Sequence, residues 1–214
     1  MPEEHPAHNH EPEDQGQMLS LAILAGGRSR RMGQDKALVP FRGQPLILHT
    51  IGQVRSLSDD ILVIANQPAD YSFLDLPIFR DVVPGCGPLG GIFSALRNAR
   101  HPLVAILGCD MPFASLPLFE YECELLRRTG ADVIVPSSPQ GLEPLHSIYR
   151  SAACLPAIQA ALDQGERRII SWFPEVKVET VSAEETRKFS PGFQAFINLN
   201  TPDEFLQAMR DTSA

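Results

Sequence analysis

The 214-residue sequence contains four cysteines, Cys86, Cys109, Cys123 and Cys154, and none of them forms a C-x-x-C pair. This spacing indicates neither a zinc knuckle nor a disulfide framework. We therefore expect reduced thiols, as is usual for a protein that stays in the cytoplasm.

Long apolar runs and an excess of basic charge are also missing. No uninterrupted apolar run approaches the length of a membrane span, and residues 1–17 contain no apolar segment typical of a signal peptide. The formal net charge of −8 disfavours a nucleic-acid duplex as partner, because such binding needs a basic surface. We expect no membrane and no nucleic acid among the partners, and any phosphate-binding site must be local.

The remaining composition is typical of a globular protein, with 43% hydrophobic and 21% charged residues. Residues 1–17 are rich in proline, carboxylates and histidine, which predicts a disordered leader. Its histidines could hold a metal, but a solvated tail is the simpler interpretation. We predict one domain over residues 18–214.

Short apolar runs alternate with helical patterns along most of this domain. Strands are predicted at 19–24, 61–65, 78–83, 103–107, 132–135 and 196–200, and helices at 45–57, 90–97, 116–128 and from 202. After residue 142 the pattern is looser. The alternation predicts an α/β, doubly wound, mostly parallel sheet with helices on both faces, resembling a Rossmann fold. Ligands bind such sheets at the carboxyl ends of the strands.

The most informative stretch runs from Leu24 to Lys36 and reads LAGGRSRRMGQDK. Glycines directly after a strand let the backbone approach a ligand closely, and consecutive amides can bind anionic oxygens. Three arginines and a lysine supply cations for a polyphosphate. The stretch does not match G-x-x-x-x-G-K-[ST], so it predicts a phosphate site other than a Walker A loop.

This stretch, followed by Leu38 and by GQPL at 43–46, resembles the signature of molybdenum cofactor guanylyltransferases within the MobA-like nucleotidyltransferase group. Similar blocks follow in the same order over nearly the whole chain after residue 17. They are Asn66, Asp81, GPLGG at 87–91, CDMP at 109–112, EPL at 143–145, GERR at 165–168 and NLNTP at 198–202. The Gly26-Gly27 pair and the last block favour the guanylyl branch over cytidylyl relatives.

The resemblance implies a cytoplasmic enzyme that transfers GMP from GTP to the terminal phosphate of molybdopterin and releases pyrophosphate. It implies Mg²⁺ as cofactor, held by Asp110, and molybdenum-insertion or molybdoenzyme-maturation proteins as further partners. The implied catalytic residues are Lys36, Arg31 and Asp110. The implied nucleotide-binding residues are Leu24, Ala25, Gly26, Gly27, Lys36, Asn66, Asp81 and Asp110. The implied pterin-binding residues are Arg168, Asn198 and Asn200.

Three of these residues also have a purely structural interpretation. Asp110 precedes a proline by two positions, and aspartate is common at turns and helix caps. Asn198 and Asn200 lie just before Thr201 and a proline, which suits the start of a helix without any ligand.

Other functions have weaker support in the sequence. Glu143 and His146 resemble an acid/base pair, but the implied reaction needs no general base, so we interpret them as a surface pair. Residues 85–90 match G-x-G-x-x-G and precede Asp110 by about twenty positions, as in a dinucleotide-binding fingerprint, but that fingerprint usually follows the first strand. A related enzyme with another nucleotide or acceptor, or a non-catalytic nucleotide-binding module, remains an alternative.

Overall fold

The computed structural model of this chain describes residues 19–26 and 35–210, so the predicted leader lies outside the described residues. The described strands are β1 (Leu19–Ala25), β2 (Pro40–Phe41), β3 (Gln44–Pro45), β4 (Asp60–Ala65), β5 (Ile78–Phe79), β6 (Leu103–Gly108), β7 (Val133–Ser138), β8 (Gly141–Leu142), β9 (His146–Arg150) and β10 (Val178–Val181). The described helices are α1 (Leu46–Val54), α2 (Gly87–Asn98), α3 (Leu116–Thr129), α4 (Ser151–Asp163), α5 (Ala183–Phe189) and α6 (Pro202–Arg210). None of these helices combines the length and hydrophobicity needed to span a bilayer.

The main sheet has eight strands in the order β10-β7-β9-β6-β1-β4-β5, with β8 paired to β7, and β2 pairs with β3 in a separate two-stranded sheet. The pairs β1–β4, β1–β6, β4–β5 and β7–β10 are parallel. Strand β9 runs antiparallel between β6 and β7. The predicted α/β class with a mostly parallel sheet is confirmed.

Alternate residues of the central strands point to opposite faces of this sheet, because side chains alternate along a strand. On β1, Leu21 and Ile23 join the core with residues of α1 and α3, whereas Ala22 and Leu24 join the core with residues of α2 and α4. Both faces of the sheet are therefore covered, which explains why its strands read as continuous apolar runs. A smaller apolar cluster of Phe41, Leu46, Leu199, Phe205 and Ala208 joins α6 to β2 and α1.

The strand predicted over 78–83 is wrong beyond Phe79, where β5 ends. The backbone N–H groups that follow donate hydrogen bonds to side chains and not to a neighbouring strand. Val82 N–H donates to Ser94 Oγ at 2.9 Å, and Val83 N–H donates to Asp81 Oδ1 at 2.9 Å. Val82 and Val83 continue the apolar pattern of the strand, but the backbone at these residues pairs with none of the described strands.

The strand predicted over 196–200 is also wrong. A 3-10 turn occupies Pro191–Phe196, and the residues after it join no sheet. The N–H group of Leu199 donates to the carbonyl of Asp110 at 3.0 Å, so one backbone bond ties this segment to the end of β6. The segment is apolar because Leu199 is fully buried, and burial alone does not distinguish a strand from a packed loop.

The looser pattern after residue 142 conceals four regular elements, β9, α4, β10 and α5. Helix α4 contains Pro156, which would normally argue against a helix. Helix α5 begins with a capping box in which Ser182 and Glu185 satisfy each other's backbone N–H groups. Cysteines 109, 123 and 154 are buried, Cys86 is half-buried, and the described residues contain no disulfide.

The close approach of α2 to the turn that precedes it yields a stability prediction. A Cβ on Gly90 would lie 2.8 Å from the Val83 carbonyl oxygen, whereas a Cβ on Gly52 within α1 would meet nothing within 4 Å. We expect Gly90→Ala to lower the free energy of unfolding by about 1–3 kcal/mol because backbone must move. The matched control, Gly52→Ala, should raise it by about 0.5–1 kcal/mol. Urea unfolding measures both, and a Gly90→Ala midpoint at or above wild type would contradict the packing argument.

Candidate active site

Three parallel strands, β1, β4 and β6, end side by side at one edge of the sheet. Gly26 follows β1, Asn66 follows β4, and Asp110 lies two residues beyond β6. A Cβ on Gly26 would lie 3.6 Å from Asn66 Nδ2, so the exposed glycine backbone and the exposed amide side chain face each other. This is the edge at which α/β sheets bind ligands.

Lys36 begins a 3-10 turn, Lys36–Leu38, and its ammonium group reaches across to the end of β6. Nζ forms an ion pair with Asp110 Oδ2 and donates a second hydrogen bond to Asn200 Oδ1 at 2.8 Å. The lysine and aspartate side chains are only 16% and 13% exposed, so solvent screens the pair less than it would on an open surface. We refer to Lys36, Asp110 and Asn200 as the Lys36 cluster.

A tight turn holds the Asp110 carboxylate in this position. Met111 N–H donates to the Gly108 carbonyl at 3.2 Å, and Cys109 N–H donates to the Leu24 carbonyl at 3.2 Å. The Cys109 carbonyl in turn accepts from Thr50 Oγ1 at 3.0 Å. Asp110 is thus a turn residue, as the purely structural interpretation predicts, and its side chain also forms an ion pair with Lys36.

The start of α6 fixes the third member of the cluster. Glu204 Oε2 accepts from the N–H groups of Asn200 at 2.6 Å and Thr201 at 2.9 Å, and Thr201 Oγ1 accepts from Glu204 N–H at 3.3 Å. Hydrogen bonds from these backbone N–H groups, chiefly that of Asn200, lower the pKa of Glu204. Because Thr201 and Glu204 cap the helix, the Asn200 side chain is not needed as a cap and bonds Lys36 instead.

Asp35 belongs to the motif at 24–36 but has no predicted role of its own, and its partner Tyr71 carries no prediction from the sequence. Asp35 Oδ1 accepts from Ala37 N–H at 3.0 Å, which caps the 3-10 turn, and its Oδ2 accepts from the Tyr71 hydroxyl. Tyr71 lies in a 3-10 helix at Pro68–Leu74 and is fully buried. The aspartate could have been found as a cap just before a short helical turn, but no local signal marks the tyrosine.

The remaining predicted nucleotide residues surround this edge. Leu24 and Ala25 are buried, and a Cβ on Gly91 would lie 3.3 Å from Leu24 Cδ1, so only their backbone could reach a nucleotide. Asp81 is half-buried beyond β5, and Ser94 Oγ donates to its Oδ1 at 2.9 Å. Gly27 and Arg31 lie outside the described residues.

The predicted pterin residues do not all meet. Asn200 belongs to the Lys36 cluster, whereas the Asn198 side-chain amide donates to the Phe196 carbonyl at 3.0 Å. Arg168 is exposed in the segment after α4, and among the described residues its side chain has no hydrogen bond or ion pair to the cluster. Its neighbour Arg167 donates to the Gly85 carbonyl and so joins this segment to the turn before α2.

Comparison with known proteins identifies the family of this chain. The family model described as MobA-like NTP transferase domain matches residues 21–179, which is most of the chain. The chain belongs to this family. A relative in Carboxydothermus hydrogenoformans, named "Probable molybdenum cofactor guanylyltransferase", is 37% identical over 196 residues, covering 91% of this chain and 96% of the relative. The molybdenum cofactor guanylyltransferase of Syntrophotalea carbinolica is 33% identical over 186 residues, covering 87% and 88%.

A solved structure shares the fold of this MobA-like protein. Molybdopterin-guanine dinucleotide biosynthesis protein A from Archaeoglobus fulgidus superposes with a TM-score of 0.78 at 26% identity, covering 91% of this chain and 98% of that one. The resemblance predicted from the motif blocks is therefore confirmed at the level of the family.

The G-x-G-x-x-G match in this MobA-like chain has a packing explanation. Gly85 and Gly87 have φ of 83° and 62°, values that side-chain-bearing residues rarely adopt, and they form the turn into α2. Gly90 and Gly91 let α2 approach the Val83 carbonyl and Leu24 closely. These glycines follow β5, and the turn does not need a dinucleotide to account for its composition.

The interpretation of Glu143 and His146 as a surface pair is wrong, because His146 is fully buried. Its Nε2 accepts from Ser115 N–H at 3.3 Å, so Nδ1 carries the proton and lies 3.2 Å from Glu122 Oε1. Burial lowers the pKa of His146 to about 3, which keeps the ring neutral. Glu143 instead accepts from Ser138 Oγ at 2.6 Å.

The buried partner of His146 makes stability depend on pH. Burial raises the pKa of Glu122 well above its usual value, and its Oε2 has no hydrogen-bond partner among the described residues. The native state therefore retains this proton above the pH at which the unfolded chain loses it, so the contribution of Glu122 to stability falls as pH rises above about 4.5, the ordinary pKa of this side chain.

We expect Glu122→Gln, which cannot ionise, to be more stable than wild type at pH 8 by about 1–3 kcal/mol, with the difference vanishing towards pH 4. Chemical unfolding across this pH range measures the difference. The control is Glu120→Gln on the same helix, where the side chain is exposed and no such trend is expected. A pH-independent difference for Glu122→Gln would show that the carboxylate is ionised in both states.

Proposed function

We propose that this chain transfers GMP from GTP to the terminal phosphate of molybdopterin and releases pyrophosphate. The Lys36 cluster carries the proposal, because it places a partly shielded cation and a carboxylate at the ligand-binding edge of the sheet. Family membership and relatives with the guanylyltransferase name support the same reaction.

The chemistry requires few protein groups. An oxygen of the pterin phosphate forms a bond to the α-phosphorus of GTP while the bond from that phosphorus to the oxygen bridging to the β-phosphate breaks. Phosphoryl transfer of this kind depends on positioning and charge neutralisation and needs no protein nucleophile. Lys36 binds the triphosphate, and Arg31 offsets the charge that develops on the departing pyrophosphate.

The nucleoside would lie over the ends of β1, β4 and β5. The backbone of residues 24–26 approaches the nucleotide closely, since Gly26 has no side chain and is exposed. We propose that Asn66, which lies beside Gly26, and Asp81, which lies beyond β5, contact the base or the ribose. Asp81 Oδ1 accepts hydrogen bonds from Val83 N–H and Ser94 Oγ, so Oδ2 would be the oxygen that contacts the ligand.

The residues present fit Mg²⁺ as cofactor. No group of three or more acidic, histidine or cysteine side chains converges within residues 19–26 and 35–210, and we propose that Asp110 holds the ion. Magnesium commonly takes one or two carboxylates and completes its shell with phosphates and water. Gly108 leaves room at this carboxylate, because a Cβ there would lie 2.8 Å from Asp110 Oδ1. When bound, the ion neutralises charge on the phosphates.

We propose that Arg168, Asn198 and Asn200 each contribute to binding of the acceptor, as the resemblance implies. Because Asn200 bonds Lys36, it links the pterin side to the triphosphate side. Transfer of another nucleotide or to another acceptor, and a non-catalytic nucleotide module, are the alternatives. Calorimetric titration with GTP, CTP and ATP in the presence of Mg²⁺ tests which nucleotide binds, and pyrophosphate release on addition of molybdopterin tests the acceptor and the catalysis. Molybdenum-insertion or molybdoenzyme-maturation partners and a cytoplasmic location stay predictions.

Replacing Asp110 tests the metal role. Asp110→Asn keeps the size and the turn but removes the charge, so we expect turnover to fall about a hundredfold or more with a native melting temperature. Mg²⁺ should also cease to strengthen GTP binding in calorimetry. Asp203→Asn, an exposed aspartate in the first turn of α6, is the matched control and should behave as wild type. Wild-type transfer by Asp110→Asn at saturating Mg²⁺ would remove Asp110 from the mechanism.

Replacing the two asparagines separately tests the acceptor side. Asn200→Ala removes an acceptor from Lys36, so the Michaelis constants for GTP and molybdopterin should both rise. Asn198→Ala should raise only the constant for molybdopterin, because its amide bonds the Phe196 carbonyl and not the lysine. Steady-state kinetics with each substrate varied in turn measures the split. Equal behaviour of the two variants would favour a purely structural role for the segment.

A further inference from the structure

Both carboxylate oxygens of Asp35, the residue before Lys36, are engaged by the protein. Oδ1 accepts from Ala37 N–H, and Oδ2 accepts from the Tyr71 hydroxyl. The Asp35 and Lys36 carbonyls accept from Leu38 N–H at 3.0 Å and Val39 N–H at 3.2 Å. Ala37 is fully buried, so the backbone on both sides of Lys36 is held.

The partner of this carboxylate belongs to a different part of the fold. Tyr71 lies in the 3-10 helix that follows β4 and Asn66, and its ring is part of the core cluster with α1 and α3. Its hydroxyl oxygen also lies 3.5 Å from the Ala25 carbonyl at the end of β1. One phenol therefore contacts the last residue of β1 and the residue that precedes Lys36.

We propose that Tyr71 is a positioning residue that acts through Asp35 to hold the Lys36 ammonium where it binds the triphosphate. The proposal rests on the proposed function of Lys36. Tyr71 itself is too deeply buried to touch a substrate, so its effect reaches the ligand only through the aspartate and the backbone that follows it.

The chemistry suits a permanent tether. A phenol donating to a carboxylate forms one of the stronger kinds of hydrogen bond, because the acceptor is charged. Burial and the bond to Asp35 raise the pKa of Tyr71, so the hydroxyl keeps its proton and remains a donor. Because the Tyr71 ring has few rotatable bonds and packs in the core, its hydroxyl holds the Asp35 carboxylate, and with it the backbone at Lys36, in a fixed position.

Tyr71→Phe removes the hydroxyl and keeps the ring in the core. We expect the affinity for GTP with Mg²⁺, measured by calorimetry, to fall about tenfold, the loss typical of a hydrogen bond to a charged group. The Michaelis constant for GTP should rise while that for molybdopterin stays unchanged. Tyr149→Phe is the control, because Tyr149 is equally buried and its hydroxyl donates to the Pro144 carbonyl at 2.7 Å, away from Asp35.

A double-mutant cycle with Lys36→Ala distinguishes positioning from general destabilisation. If Tyr71 acts through the lysine, Tyr71→Phe should not weaken GTP binding further in the Lys36→Ala background. Additive losses of GTP affinity would overturn the proposal. Failure of the wild-type protein to bind GTP would instead overturn the proposed function.

Chemical labelling tests the same idea without any substrate. The chain contains three lysines, Lys36, Lys177 and Lys188, so the latter two serve as internal references. Trace acetylation of the unliganded protein, followed by peptide mass spectrometry, should show faster labelling of Lys36 in Tyr71→Phe, with unchanged labelling of the references. Tyr149→Phe should leave all three rates at wild-type values. Identical Lys36 labelling in Tyr71→Phe and wild type would contradict the proposal even if GTP affinity fell.

Discussion

The ion pair between Lys36 and Asp110 is the interaction on which the geometry of the site depends. Its two partners come from the turn after β1 and the turn after β6, and Asn200 from the start of α6 joins them. An exposed ion pair would contribute little, because water screens it and long side chains lose entropy. Here backbone hydrogen bonds order the two turns that carry these side chains, and both side chains are largely shielded from water.

Close backbone approach provides the frame for this pair. Gly91 lets α2 pack against Leu24, and the Leu24 carbonyl bonds Cys109 N–H, which directly precedes Asp110. Leu199, buried against α6, bonds the Asp110 carbonyl from the other side. The carboxylate is therefore fixed by the sheet, by a helix behind it and by the C-terminal segment, which is the preorganisation that a phosphate-binding site requires.

Residues distant from the ligand-binding edge serve the fold more than the chemistry. The fully buried His146–Glu122 pair joins β9 to α3, and its histidine is neutral. Asp81 Oδ1 orders the turn before α2, and its Oδ2 lies beside Gly90. The motif blocks of this MobA-like protein therefore include residues with a packing role.

The sequence by itself determined the fold class, the family and the edge at which the site lies. Apolar runs such as 19–24 and 103–107 become buried parallel strands, and the residues directly after them can be read without any structure. Only the tertiary structure decided that Lys36 meets Asp110 and Asn200, which lie 74 and 164 positions away. It also decided that Tyr71 holds Asp35 and that residues 196–200 form no strand. Periodicity reports which side chains are buried, whereas contacts between distant segments depend on how their backbones pack, and no local pattern encodes that.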